Sequence, residues 1–217
     1  MANVRKWAVR LVVGIVMLAG FAFLFMRSLD QARSTPYTLE RALLTNWTVR
    51  VVEAPTATSP ILELRPPPDL VTRVFDQVFA RAGESLNSAS GRGMPLVLRA
   101  EFEGAFAGAA TPDALAAAAR SAGLESAPLQ PRCMAHLIVS EPGSTRHVYA
   151  ALFEVPAFDQ FRRQIAMQVN NGAPPGSFDP AALSPVLFIA ATDPSFDRWL
   201  PLRVDPAADC AAPLVGM

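Results

Sequence analysis

His136 and His147 are the only imidazoles in the chain. They flank Glu141-Pro-Gly-Ser144, a type II turn candidate between a strand over Met134 to Ser140 and its partner over Arg146 to Phe153. With Pro142-Gly143 at the turn centre, Ile138 faces His147 and His136 faces Tyr149. The two rings are then diagonal neighbours on one sheet face, within reach of a shared metal ion. A zinc site takes three or four protein ligands. No nearby Cys, Asp or Glu completes such a set. The pair is therefore expected as hydrogen-bonded sheet histidines, with no metal and no cofactor.

The carboxylates give a similar result. Glu101 and Glu103 share a face with Arg99 if the alternating run from residue 94 is one strand, and paired carboxylates can serve acid–base chemistry. An Arg-Glu-Glu row on a solvated face accounts for the same residues. Asp193 and Asp197 are spaced i,i+4, as are Asp205 and Asp209, and Asp193-Pro194 reads as an N-cap followed by a first-turn proline. The calcium-loop spacing D-x-[DN]-x-[DN]-G is absent, as are G-x-S-x-G and H-E-x-x-H. Ser88 to Gly93 (SASGRG) lacks the GK[ST] of a phosphate-binding loop and reads as a flexible loop with no phosphate role. No catalytic set is visible, so the protein is not expected to be an enzyme.

Cys133 and Cys210 are an even pair with neither CxxC nor CxxCH spacing, which excludes a redox or haem motif. If bonded, they close a long loop and fit an oxidising compartment; the alternative is two unrelated buried thiols. The 217 residues carry 19 Lys+Arg and 19 Asp+Glu, so there is no basic excess to hold nucleic acid. Apolar residues at 51% and charged residues at 18% exclude a disordered chain, and the length suits one domain with at most a small annex. Lys6 is the single lysine, a bias expected of a GC-rich bacterial genome.

These residues need elements to position them. Trp7 to Met26, WAVRLVVGIVMLAGFAFLFM, would span about 30 Å as a helix, the hydrocarbon thickness of a bilayer. It predicts a retained transmembrane anchor bounded by Trp7, Arg10, Met26 and Arg27. Residues 1–6 are then a cytoplasmic tail, 27–36 a juxtamembrane linker and 37–217 a periplasmic domain at the inner (cytoplasmic) membrane. The rival reading is a cleaved signal peptide, with Gly20-Phe21-Ala22 as the small-x-small site.

Beyond it, a short helix is expected over Tyr37 to Leu44, with strands over Trp47 to Glu53 and Ile61 to Leu64. A helix capped by Asp69 follows, with an apolar stripe through Leu70, Val71, Val74, Phe75, Val78, Phe79 and Ala82. After this ββα extension come a strand from residue 94 to 103, a helix from Thr111-Pro112 to Gly123 and the histidine hairpin. A helix from Pro156 to near Asn171-Gly172 and an apolar strand over Val186 to Ala191 complete the pattern. The order β-α-β-β-α-β across about 94–192 predicts an α+β protein with a ferredoxin-like core. One hairpin face packs under the helices. The other carries Met134, His136, Ile138, His147, Tyr149 and Phe153, an aromatic and apolar patch that is rarely left wet. Either residues 37–88 fold back over it or a partner does, and the first is preferred.

Such a fold licenses no activity by itself. The expected role is an accessory or interaction subunit of a larger membrane or envelope complex. Its partners would be the lipid bilayer, through the N-terminal helix, and a membrane-protein complex. A ligand-binding or sensor module using the sheet face or the SASGRG loop is the alternative, and a hydrolase comes third.

Overall fold

The structure, a computed structural model, describes residues 14–24, 35–106, 110–170 and 178–217. Residues 1–35 and 36–217 form two separate units. In the first, residues 14–24 are helix α1, with Ile15, Met17 and Phe21 exposed. This stretch is about 16 Å long, half of what a bilayer requires. Among the described residues no helix is long and apolar enough to cross a membrane. The expected transmembrane helix over 7–26 is therefore not found. The rest of that span, including Trp7, Arg10, Met26 and the flanking Arg27, lies outside the described residues.

The second unit begins with β1 (Tyr37–Leu39), β2 (Thr48–Val51), β3 (Pro60–Arg65), α2 (Pro68–Ala82), β4 (Asn87–Ser88) and β5 (Met94–Leu98). It continues through α3 (Arg99–Phe106), α4 (Pro112–Ser121), β6 (Gln130–Glu141), β7 (Ser144–Glu154), α5 (Pro156–Asn170), β8 (Val186–Ala191), α6 (Pro206–Asp209) and β9 (Cys210–Gly216). The strands form two sheets. One is six-stranded and mixed, in the order β1-β9-β6-β7-β8-β4, and the other is three-stranded, β2-β3-β5. Among the described residues only β1 and β9 run parallel.

This arrangement overturns the ferredoxin-like core. In that fold the strand from residue 94 would join the hairpin and the last strand in one sheet. Here β5 pairs with β3, and β8 bonds directly to β7. The local pattern held the reason. Every residue from Met94 to Leu98 is buried, so both strand faces are covered and the pattern points to no particular neighbour. The strand also stops early. Glu101 reaches back to accept the Leu98 N–H at 2.9 Å, the N3 half of a capping box, and residues 99–106 wind into α3. Arg99 and Glu103 become an i,i+4 pair at 2.7 Å on that helix instead of a row on a strand.

Smaller corrections have equally local causes. Tyr37–Leu39 is a strand and not a helix, because β9 offers it a parallel edge; only Arg41–Leu44 coils, as a 3-10 turn. Pro67 holds the N-cap of α2, so Asp69 lies inside its first turn, where the helix dipole favours a negative charge. Gly83, at φ 67°, takes the left-handed conformation that ends α2. Thr111 caps α4 as its sequence indicates, accepting the Ala114 N–H at 3.2 Å.

In the core, Trp47 meets Phe153 edge to face at 5.6 Å, and Phe158, Phe161, Leu62, Leu64 and Leu96 are fully buried in the same cluster. Each such side chain contributes about 1.5–3 kcal/mol by leaving water. Cys133 and Cys210 are joined in a disulfide that ties β6 to β9, with 5.7 Å between their Cα atoms.

Candidate functional site

The β6–β7 hairpin has the register set by its Pro142-Gly143 turn. His136 lies opposite Tyr149, and Ile138 opposite His147. The two imidazoles therefore come together diagonally on one face, with His136 Nε2 and His147 Nδ1 3.1 Å apart. The His136 ring stacks on Tyr149 at 4.3 Å, nearly parallel. Thr192 Oγ1, just past β8, accepts the backbone N–H of His147 at 3.0 Å and fixes that end of the pair.

A third group arrives from a distant part of the chain. The left-handed turn at Gly83 redirects the backbone after α2, and Glu84 comes over the hairpin face. Its Oε1 lies 3.4 Å from His147 Nδ1 and accepts the Tyr149 hydroxyl at 3.1 Å. Burial, then the charge and hydrogen bond of Glu84, push the Tyr149 phenol well above its ordinary pKa. It stays protonated and keeps donating to the carboxylate. His147 and Glu84 remain 23% and 29% exposed, so solvent reaches the cluster.

The face named from the sequence is therefore divided. Met134, Tyr149 and Phe153 are buried, with Trp47 over Phe153 and Glu84 over Tyr149, both from the 37–88 segment. His136 and His147 are half-buried, and Ile138 is exposed. Glu84 had no local signal in the sequence; it is 52 residues from His136. The one available clue was its place immediately after the helix-stopping Gly83.

The other sequence candidates are drawn into unrelated contacts. Glu101 pairs with buried Arg162, and Glu103 with Arg99. Asp193 accepts the Ser195 N–H at 2.8 Å, and that bond is the main reason its carboxyl is held below the usual range. Asp205 caps α6 through the Ala207 N–H at 2.9 Å. Asp197 joins Arg92 and accepts the hydroxyl of buried Ser59 at 2.6 Å. Those last three line an open cleft of about 650 Å³ together with Glu63, Arg65 and Ser90, so the SASGRG loop forms part of a concave surface. Glu63 is buried there, which raises its pKa, while Arg65 and the Gly93 N–H oppose the rise.

No family model, no curated protein and no solved structure matches the chain.

Proposed function

We propose that residues 36–217 are a binding domain of an oxidising compartment, an accessory module that docks on a protein partner and performs no catalysis. The observation that carries this reading is the far end of the β6–β7 hairpin. β9 pairs with β6 only over Cys133–Ala135, and β8 pairs with β7 only over Val148–Leu152. Among the described residues, the stretch from 137 to 146 has no strand partner except itself. It projects as a β-arm carrying Ile138 at 54% and Val139 at 39% exposure on opposite faces. The open edge of β6 there, Leu137-Ile-Val-Ser140, has no charge or proline to discourage pairing. Such an edge accepts an added strand, with main-chain hydrogen bonds giving affinity and the apolar side chains register. The disulfide supports the compartment.

Native sizing of the full chain extracted from its own cells tests the reading. The expected result is an assembly larger than one chain. Ile138→Asp with Val139→Asp should release it as a monomer without moving its melting temperature. A wild-type chain that is monomeric under gentle extraction would overturn the reading.

A second reading, a small-ligand module, draws support from the cleft that Ser90 and Arg92 form with Arg65. It is favoured if Arg65→Ala and Arg92→Ala impair function while the arm variants do not.

A further inference from the structure

We propose that Glu84, His136 and His147 bind a divalent first-row transition ion, for which Zn²⁺ is the simplest probe. The site is separate from the docking reading and does not rest on it.

The spacing comes first. Metal–ligand bonds of about 2.0–2.1 Å, meeting at roughly 90–110°, put neighbouring ligand atoms roughly 2.9–3.4 Å apart. His136 Nε2 and His147 Nδ1 are 3.1 Å apart, and His147 Nδ1 and Glu84 Oε1 are 3.4 Å apart. One ligand atom from each of the three residues lies within 4.8 Å of the others. Without an ion, the two rings share one hydrogen bond and Glu84 accepts that of Tyr149. Only one hydrogen fits between two ring nitrogens that face each other. The 3.4 Å separation from Glu84 is longer than a good N–H···O bond. An ion at the centre would lie within reach of a ligand atom from all three residues at once.

Donor chemistry narrows the occupant. Two imidazoles and one carboxylate suit Zn²⁺, Fe²⁺, Co²⁺ or Ni²⁺, whereas Ca²⁺ and Mg²⁺ require an oxygen shell. Three protein ligands leave a coordination position for water, and the partial exposure of Glu84 and His147 gives the ion a way in.

The surroundings also fit. A ligating carboxylate is usually held by an outer hydrogen bond, and Tyr149 already donates one to Glu84 at 3.1 Å. The histidines lie on paired strands, with Cys133 three residues from His136 anchored by the disulfide and the His147 backbone held by Thr192. The ligands are thus set on rigid elements, and only Glu84 approaches from a turn.

The test is titration of the metal-free full chain with Zn²⁺ by calorimetry and with Co²⁺ by visible absorption. One ion per chain is expected, with a Co²⁺ spectrum of mixed nitrogen–oxygen ligation. Glu84→Gln and His136→Ala should each weaken binding by at least about tenfold, and Tyr149→Phe by about tenfold at unchanged stoichiometry. If His136→Ala fails to fold, Glu84→Gln decides, since it removes a charge from a half-exposed side chain and little packing. The arm variant Val139→Asp should bind Zn²⁺ like the wild type, which separates this site from the docking surface. No Zn²⁺ or Co²⁺ binding by the wild type, or wild-type affinity in Glu84→Gln, would overturn the proposal.

Discussion

Two clusters of charged and polar groups sit in the same domain and have opposite designs. Arg162, on α5, is fully buried, and all five of its N–H donors are used. Nε donates to Pro180 O at 2.9 Å. Nη1 donates to Leu96 O at 2.8 Å and Glu101 Oε2 at 3.3 Å. Nη2 donates to Glu101 Oε1 at 2.6 Å and Asp179 O at 2.7 Å. Its guanidinium also lies over Phe178. Nothing further can bind there. The Glu84–His136–His147 cluster is half-exposed, and its potential ligand atoms lie close together, with His147 Nδ1 3.1 Å from His136 Nε2 and 3.4 Å from Glu84 Oε1. A fully hydrogen-bonded buried charge holds elements together, whereas an accessible group of ligand atoms at metal-binding spacing is a place for an ion to bind.

The largest effect that sharpens this contrast lies on the saturated side. Arg162→Met leaves the Glu101 carboxylate without its buried partner and frees three carbonyls that the guanidinium had bridged. Breaking a buried pair this way costs about 3–5 kcal/mol, a fall in Tm of roughly 10 °C or more for a domain of this size. Thermal unfolding followed by circular dichroism measures it. A loss below about 1 kcal/mol would mean that the clamp is incidental and that saturation is no guide to role.

At the accessible cluster the expected effect is a gain. If the trio binds Zn²⁺, the ion stabilises the folded chain by about 2.7 kcal/mol at a hundredfold excess over Kd, or roughly 5–10 °C in Tm. In Glu84→Gln that increment should vanish, while the metal-free stability stays within about 1 kcal/mol of wild type, as for other partly exposed positions. Equal protection of wild type and variant would break the comparison from the other side.

The difference between the clusters was only half legible in the sequence, for a physical reason. The hairpin register follows from a turn two residues wide, so the meeting of His136 and His147 is a local fact and was readable. The Thr111 cap and the buried run Val186 to Ala191 are local in the same sense. Glu84 and Arg162 act across long sequence separations, and no periodicity encodes where a loop returns. The same applies to the strands. β5 is apolar on both faces and could have joined either sheet, and β9 pairs with β1 and β6 from the far end of the chain. The misplaced strand end at Leu98 is a different failure. Alternation up to that residue masked a helix start that Glu101 stabilises through a single hydrogen bond.

Glu63 belongs to neither class yet, and it supplies the smallest and most discriminating measurement. Its carboxylate is buried beside the cleft, accepts the Gly93 N–H at 3.2 Å and lies 3.6 Å from Arg65. Burial is the larger influence and raises its pKa, with Arg65 and the Gly93 N–H pulling the other way. The folded chain therefore holds this proton more tightly than the unfolded chain does. Stability contributed by the neutral form is complete below the ordinary value of 4.5 and is lost as pH rises through the raised folded value. Glu63→Gln removes that dependence. The difference in unfolding free energy between variant and wild type should be near zero at pH 4. It should grow in the variant's favour towards pH 7, by no more than about 1 kcal/mol. Denaturant titrations at the two pH values read it directly. If the variant is instead the less stable protein at pH 7, the Glu63 charge is a required partner for Arg65, and the residue falls with the Arg162 clamp as a structural, saturated pair.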